Sequence, residues 1–255
     1  IDARERRGGV LPLRELLDCK LRGVRVLDMV SFYERERGVL NIDDLRASWL
    51  IFGEGFSQGL FRDIVKRIFD IVVASTMLVL ALPVMLIAML AVVIETGRPA
   101  LFRQERVGEG GGTFMIIKLR SMRQSAEKEG APQWAGTDDP RITRVGRLIR
   151  ALRIDELPQL VNVLRGDMSF VGPRPERPFF VEQLERQIPY YDMRHSVKPG
   201  LTGWAQVRFR YGASVEDSAE KLQYDLYYVK NHSLFLDLMI LLETVQVVLT
   251  GKGAR

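Results

Sequence analysis

The chain has 255 residues, 47% of them hydrophobic and 27% charged, with a formal net charge of +5, so it can bury a core and fold as one domain plus an appendage. One cysteine excludes an intramolecular disulfide, and two histidines are too few for the usual Cys/His zinc set, so any metal should be Mg²⁺ or Mn²⁺ held by oxygen. The positive charge fits an anionic partner, but the sequence carries no nucleic-acid fold signature, and nucleic acid is the least favoured partner.

The first 60 residues differ in pattern from the rest of the chain. They predict a strand over residues 23–29, a helix over Val30–Arg37 and a second helix over Ile42–Leu50. This order is typical of the end of an α/β domain, and none of these residues carries recognisable chemistry. We therefore predict that residues 1–60 are the remnant of an accessory α/β domain with a structural or regulatory role. Because the chain begins at Ile1 rather than a methionine, we also expect it to be part of a longer protein.

A long apolar stretch follows. Residues 71–94 contain no charged side chain and are long enough to cross a bilayer as one straight helix. Two features oppose a simple crossing. Pro83, near the middle, removes a backbone hydrogen bond, and basic residues flank both ends, among them Lys66 and Arg103. A hairpin that enters and leaves on one face satisfies both observations, so we predict a re-entrant helix within a membrane-associated segment over residues 61–98.

A glycine-rich turn at residues 108–112 precedes a strand-like run from Phe114 to Leu119. The turn lacks both common phosphate-loop spacings and is followed by a strand rather than a helix, so a β-hairpin is the better interpretation. Two cations lie at the end of this run: Lys118 is its next-to-last residue, and Arg120 follows it.

Two later segments have apolar faces. Over residues 142–152, apolar residues recur at helical spacing with arginines off that stripe, which fits equally a helix at an anionic membrane surface and a helix packed on its own core. Residues 234–249 are almost entirely apolar but short for a span, and they suit an interfacial or docking helix. Between the two, residues 202–207 are interpreted as a turn and a strand.

The stretch from Arg150 to Glu176 carries the strongest chemical signal. Two adjacent acids, Asp155 and Glu156, stand among arginines, an ionic composition suited to phosphate chemistry. Asp155 has the position expected of a helix N-cap, and the helix that follows should end at Gly166. Free backbone N–H groups at a helix start stabilise negative charge, and would also stabilise a phosphoryl group placed on Asp155. The same residues are ordinary capping chemistry, so by themselves they leave catalysis open.

An extended element follows a short predicted strand over residues 167–171. Pro173 and Pro175 fix the backbone around Arg174, whose guanidinium can hold two phosphate oxygens at once. A linker with a solvated arginine has the same composition.

Four ordered segments resemble the bacterial sugar transferase family: KRIFDIVVA, FRQERVGEGGGTFMIIKLRSM, IDELPQLVNVLRGDMSFVGPRPE and KPGLTGWAQV. This family comprises monotopic phosphoglycosyl transferases, which initiate polysaccharide and glycoconjugate assembly on polyprenyl phosphate. The resemblance runs from about Lys66 to the C-terminus. It implies an α/β (α+β, helix-rich) enzyme with a re-entrant membrane helix, interfacial amphipathic helices and a catalytic domain over residues 99–255 on the cytoplasmic face of the bacterial inner membrane. The family breaks this helix at a Ser-Pro pair, whereas the pair here is Leu82-Pro83.

The resemblance also implies the chemistry. A hexose 1-phosphate would pass from a UDP-sugar to polyprenyl (undecaprenyl) phosphate with release of UMP, through an aspartyl-phosphosugar formed on Asp155. Asp155 and Glu156 would hold Mg²⁺ or Mn²⁺, and Glu156 could instead act as an acid or base. The remaining candidate ligands for substrate or phosphate are Lys118, Arg120, Arg153, Arg174 and Asp225. Another carboxylate-dependent phosphotransferase or hydrolase and a non-catalytic membrane scaffold remain as alternatives, and the sequence leaves open both the sugar and a homodimer.

Overall fold

A computed structural model of the protein describes residues 12–45, 59–123, 139–209 and 214–250. Its contacts divide the chain into two compact units, Ile1–Glu54 and Gly55–Arg255. The described part of the first unit contains two helices and one 3₁₀ turn: α1 Leu13–Leu21, α2 Met29–Arg37 and the turn Ile42–Asp44.

The first unit departs in part from the predicted pattern. Helix α2 confirms the helix expected over Val30–Arg37. Residues 24–28 belong to no strand, so the strand predicted there is wrong. The run is apolar enough for a strand, but it has no partner within the described residues, and a strand is not stable unpaired. The helix predicted over Ile42–Leu50 is wrong at its start: residues 42–44 form a single 3₁₀ turn, and Leu45 is extended with a ψ of 130°. Residues 46–50 lie outside the described ranges.

The second unit opens with helix α3, Leu60–Thr96, which runs for 37 residues through Pro83 without interruption. Among the described residues it is the one helix whose length and apolar composition suffice to cross a membrane. Its two halves pack on different parts of the unit. Ala74 joins one buried apolar cluster, and Ala88 and Val92 join a second.

A β-hairpin follows α3, as the sequence predicted. Strand β1, Leu101–Val107, pairs antiparallel with strand β2, Thr113–Leu119. Gly110 and Gly111 in the connecting turn have φ of 65° and 79°, values that favour glycine. The hairpin presents Lys118 to the turn that carries the two acidic residues.

That turn lies between two short helices. Helix α4, Arg144–Ala151, is followed by a 3₁₀ segment over Ile154–Gln159 and then by helix α5, Leu160–Arg165. The helix ends at Gly166, as predicted, but the N-cap predicted at Asp155 is wrong. The chain turns at Arg153, which has a left-handed φ of 58°, so the 3₁₀ segment starts at Ile154 and Asp155 lies inside its first turn.

The remaining elements surround a short parallel pairing of β3, Ser169–Val171, with β4, Gly200–Thr202. The helices that complete the unit are α6 Pro178–Glu185, α7 Trp204–Arg208, α8 Val215–Asn231 and α9 Leu234–Thr250, with a 3₁₀ segment over Tyr191–Ser196. The strand predicted within residues 202–207 is therefore wrong beyond Thr202. Packing overrides the strand preference of this segment, because the buried Trp204 ring stacks on Tyr227 at 5.9 Å.

The two helices with apolar faces each pack on the protein with one side only. In α4, Ile149 is buried and Leu148 is 61% exposed. In α9, Ile240 is buried and Leu242 is 73% exposed. The helix-rich α+β class is confirmed, and both helices keep apolar side chains on the outside.

Candidate active site

Glu156 is the centre of a cationic cluster. Its side chain is only 11% exposed, and its Oε1 atom accepts a hydrogen bond from Arg174 Nη2 at 2.7 Å. Arg153 Nη1 lies 3.4 Å and Lys118 Nζ 3.8 Å from the same oxygen. Burial alone would raise the pKa of Glu156, but the positive charges of these three residues hold it well below its ordinary value. Glu156 is therefore a fixed carboxylate that orients cations.

Asp155 has a different environment although it is the next residue. Its carboxylate makes no hydrogen bond or close ion pair with any residue that the structure describes. Burial raises the pKa of Asp155 to about 6, and the neighbouring negative charge of Glu156 acts in the same direction. A carboxylate that is ionised at neutral pH and uncommitted to a partner is suited to attack an electrophile.

Lys118 supplies a cation from strand β2. Its side chain is 19% exposed, and burial lowers its pKa to about 8 against the opposing effect of Glu156. Arg174 and Arg106 lower it further by charge repulsion. Positive charge is thus concentrated in one place, where it is not fully neutralised by Glu156.

The segment Pro173–Glu176 is held by its carbonyl groups. Gly200 N donates to Pro173 O at 2.9 Å and Val107 N donates to Glu176 O at 2.9 Å. Two arginine side chains hold the carbonyls between these: Arg194 Nη2 donates to Arg174 O at 2.8 Å, and Arg106 Nη1 donates to Pro175 O at 3.1 Å. The two prolines have no N–H and cannot donate to the hydrogen-bond ladder of a sheet, so the segment is held in place by hydrogen bonds to these four consecutive carbonyls.

Glycines allow the segment to approach strand β4. A Cβ atom on Gly200 would lie 2.0 Å from Gly172 N, and one on Gly203 would lie 2.1 Å from Gly172 O. Real Cβ atoms do not approach backbone atoms so closely, so only glycine fits at these two positions. The close contact fixes the start of the Pro-Arg-Pro segment and directs the Arg174 side chain to Glu156.

The predicted site residues separate into two groups. Five of them lie together at the 3₁₀ turn: Lys118, Arg153, Asp155, Glu156 and Arg174. Arg120 instead donates to Thr96 Oγ1 at 2.6 Å and to Gly97 O at the end of α3. Asp225 is buried, and its carboxylate lies 2.8 Å from Arg194 Nη2.

Sequence reasoning missed Arg194 and Arg106. Arg106 lies in a segment that resembles the family, but nothing in its spacing connects it with residue 175. Arg194 lies in a stretch without helical or strand periodicity, and its acceptor and its carboxylate partner are 20 and 31 positions away. Only the fold brings these groups together.

The two carboxylates of the site can supply some, but not all, of the oxygen ligands of a divalent cation. The three cations around Glu156 all contact Oε1, so Oε2 and both oxygens of Asp155 are left as the hard ligands that Mg²⁺ prefers. The described residues contain no cluster of three acidic, histidine or cysteine side chains. A magnesium ion held here would take its other ligands from water and substrate phosphate, as Mg²⁺ commonly does.

The sequence was also compared with models of known protein families. A model of the bacterial sugar transferase family matches residues 61–251, and the chain belongs to this family.

The chain is similar to three relatives whose names state a transferase activity on undecaprenyl phosphate. The chain is 44% identical over 242 residues to a UDP-N-acetylgalactosamine-undecaprenyl-phosphate N-acetylgalactosaminephosphotransferase of Aeromonas hydrophila. This match covers 95% of the chain and 56% of the relative. The chain is 46% identical over 194 residues to a UDP-glucose:undecaprenyl-phosphate glucose-1-phosphate transferase of Caulobacter vibrioides, covering 75% of this chain and 72% of the relative. It is 49% identical over 149 residues to a putative undecaprenyl-phosphate N-acetylgalactosaminyl 1-phosphate transferase of Bacillus subtilis, covering 58% of this chain and 79% of the relative. The chain thus spans little more than half of the Aeromonas protein, and that match extends into the residues before the family match.

Proposed function

We propose that the protein transfers a sugar 1-phosphate from a UDP-sugar to undecaprenyl or a related polyprenyl phosphate and releases UMP. The observation that carries the proposal is the contrast between two adjacent carboxylates. Glu156 is paired with Arg174 at 2.7 Å, whereas Asp155 has no close partner among the described residues. Two relatives are named as transferases that act on undecaprenyl phosphate, and this supports a polyprenyl phosphate acceptor.

The reaction proceeds in two displacements at one phosphorus atom. In the first, an Asp155 oxygen attacks the sugar-linked phosphorus, the bond to the bridging oxygen of the diphosphate breaks, and UMP leaves with that electron pair. In the second, an oxygen of polyprenyl phosphate attacks the same phosphorus and the bond to Asp155 breaks. The lipid then carries the sugar diphosphate, and the carboxylate is regenerated. One difficult transfer is thereby divided into two easier ones.

The surrounding cations assist both displacements by neutralising phosphate charge. Arg174 has further N–H donors, in the plane of its guanidinium, for a phosphate oxygen while Nη2 stays on Glu156. Lys118 and Arg153 add positive charge at the same turn. Mg²⁺, when bound through Asp155 and Glu156, supplies further charge neutralisation of the diphosphate. Arg120 and Asp225 make contacts away from this turn, Arg120 with Thr96 and Gly97 and Asp225 with Arg194.

Helix α3 enters and leaves the membrane on the same side in this proposal. Near its start, Lys66 Nζ lies 2.6 Å from Asp237 Oδ2 and Arg67 donates to Val163 O at 2.6 Å. Near its end, the Glu95 carboxylate accepts from Arg144 N at 2.9 Å. A crossing helix would put these contacts on opposite faces of the bilayer, although they belong to one compact unit.

The same reasoning supports a location at the membrane surface. Most apolar side chains near the middle of α3 are exposed, Leu80 to 72%, although Met85 is buried. A local bend at Pro83 would let this middle part dip into one leaflet while both ends stay with the catalytic unit. The exposed apolar faces of α4 and α9 would lie at the interface beside it, and we place the unit on the cytoplasmic face of the inner membrane, where UDP-sugars are available.

A released-product assay tests this function. Purified protein in nanodiscs is supplied with a panel of UDP-sugars and Mg²⁺, with and without undecaprenyl phosphate, and UMP and lipid-linked sugar are measured together. Stoichiometric UMP and sugar-diphosphate lipid are expected for at least one donor. Free sugar phosphate without the acceptor would indicate a hydrolase, and the absence of both products across the panel would favour a scaffold.

A further inference from the structure

Arg174 is held at both ends, and the two contacts are made by different parts of the chain. Its guanidinium donates to Glu156 Oε1 at 2.7 Å. Its carbonyl oxygen accepts a hydrogen bond from Arg194 Nη2 at 2.8 Å. The second contact fixes the backbone from which the functional side chain extends.

Arg194 is itself fixed by buried groups. It is 7% exposed, and its Nη2 atom lies 2.8 Å from the Asp225 carboxylate, which is 3% exposed. Its other terminal nitrogen donates to the Tyr191 hydroxyl. A buried guanidinium with its charge balanced by a carboxylate is a rigid donor, because moving it would leave a charge without a partner.

We propose that Arg194 is a positioning residue for Arg174 and that Asp225 acts on the site by holding Arg194. This inference rests on the proposed function and deepens it. Asp225 then needs no contact with substrate: it orients Arg194, Arg194 orients the Arg174 backbone, and Arg174 contacts the transferred phosphate. A displacement of about 1 Å at a phosphate ligand can lower a reaction rate by about 100-fold.

A double-mutant cycle tests the link. Arg194→Gln should lower kcat for the first displacement by about 10- to 100-fold and leave KM for the UDP-sugar within about threefold. The reason is that the Arg174 guanidinium is still present and charged but is displaced from its position. In a background of Arg174→Ala, the same change should cost less than about twofold, since the side chain to be positioned is gone. Arg194→Lys, which can still reach one acceptor, should recover part of the rate. If Arg194→Gln costs the same factor in both backgrounds, the positioning role is refuted.

A matched control separates positioning from general damage. Arg67 also donates to backbone carbonyls, at Val163 and Leu164, but contacts neither Arg174 nor Arg194. The factor by which Arg67→Gln lowers the rate should be the same with and without Arg174→Ala, so the two losses should multiply. If Arg194→Gln does not fold, Asp225→Asn takes its place in the cycle, because it leaves the arginine present and only loosens it.

A second readout does not depend on turnover. Hydrogen–deuterium exchange is measured at the Gly172 and Gly200 amides, which donate to Thr202 O and Pro173 O beside Arg174. Exchange of these two amides should become faster in Arg194→Gln but stay unchanged in Arg67→Gln. Unchanged exchange in Arg194→Gln would overturn the inference even in an active enzyme. A wild-type protein without transferase activity would reject the proposed function, while this exchange measurement would still decide the positioning role.

Discussion

Asp155 and Glu156 are adjacent in the chain, but one carboxylate is paired and the other is not. Glu156 Oε1 accepts a hydrogen bond from Arg174 at 2.7 Å and lies near Lys118 and Arg153. The Asp155 carboxylate makes no hydrogen bond or close ion pair with any described residue. The tight 3₁₀ turn that begins after Arg153 directs the two side chains to different environments. In the proposed mechanism, the nucleophile is Asp155 and the residue that holds the cations in place is Glu156.

This contrast predicts opposite effects of two isosteric substitutions on stability. The folded-state pKa of Asp155 is raised to about 6, so its contribution to stability is lost as pH rises through that value, and the ionised group is unfavourable at pH 7.5. Asp155→Asn should therefore stabilise the protein at pH 7.5 by roughly 1 to 2 kcal/mol after a discount for partial exposure, and by less at pH 5.

Glu156→Gln should do the reverse. The folded-state pKa of Glu156 is depressed, so its ionised form stabilises the fold at neutral pH, and its loss leaves Arg174, Arg153 and Lys118 to repel one another. We expect a loss of roughly 1 to 3 kcal/mol. Thermal unfolding of both variants in the same nanodiscs measures the difference. Two shifts of the same sign would contradict the distinct environments of the two carboxylates.

The rate of the first displacement should depend on pH in a bell shape. Below about pH 6 Asp155 gains a proton, so kcat/KM should fall about tenfold per pH unit. Above about pH 8 Lys118 loses its charge and the rate should fall again. Single-turnover kinetics with a UDP-sugar measure both limbs. In Lys118→Arg the alkaline limb should move to higher pH, because a guanidinium stays protonated. An acid limb near pH 4, where an ordinary aspartate titrates, would show that the pKa of Asp155 is not raised in the active enzyme.

Local patterns in the sequence predicted local structure well. The β-hairpin over residues 101–119 and the helix end at Gly166 follow from turn glycines and short-range periodicity, and both are confirmed. Residues 202–207 were predicted as a turn and a strand, whereas Trp204–Arg208 form helix α7. Packing of Trp204 on Tyr227, a residue distant in sequence, decided the conformation instead.

The candidate site was predicted only as far as its chemistry is local. Asp155 and Glu156 were found because adjacent acids among arginines form a short motif. Contacts outside the site, such as the one made by Asp237, could not be predicted in the same way. Asp237 lies in an apolar run, and its ion pair with Lys66 joins residues 171 positions apart. Spacing along the chain contains no information about such a contact.

The glycines beside the Pro-Arg-Pro segment should not tolerate a methyl group. A Cβ atom on Gly200 would lie 2.0 Å from Gly172 N, so Gly200→Ala must separate β3 from β4. We expect a loss of roughly 1 to 3 kcal/mol in the free energy of unfolding and slower transfer, because Arg174 follows β3 directly. Gly112→Ala is the matched control, since its nearest neighbour would be Glu109 O at an ordinary 3.6 Å. A Gly200→Ala variant as stable as Gly112→Ala would contradict the close packing.

Both ends of α3 should be accessible from the same side of the membrane. Single cysteines replace Phe61, which is 79% exposed, and Arg103 in strand β1, in a background where Cys19 is changed to serine. An impermeant thiol reagent added to sealed inside-out vesicles should label both positions, and the same reagent on right-side-out vesicles should label neither. Labelling of the two positions from opposite sides would establish a crossing helix.

The most direct test of the account is the covalent intermediate on Asp155. Wild-type protein is incubated with a UDP-sugar and Mg²⁺ in the absence of polyprenyl phosphate and then analysed by intact mass spectrometry. We predict a mass increase of one sugar phosphate, its localisation to the peptide that contains Asp155, its loss on addition of undecaprenyl phosphate, and no increase in Asp155→Asn. An adduct that persists in Asp155→Asn, or lipid-linked product formed by a wild-type enzyme that never carries the adduct, would contradict Asp155 as the nucleophile.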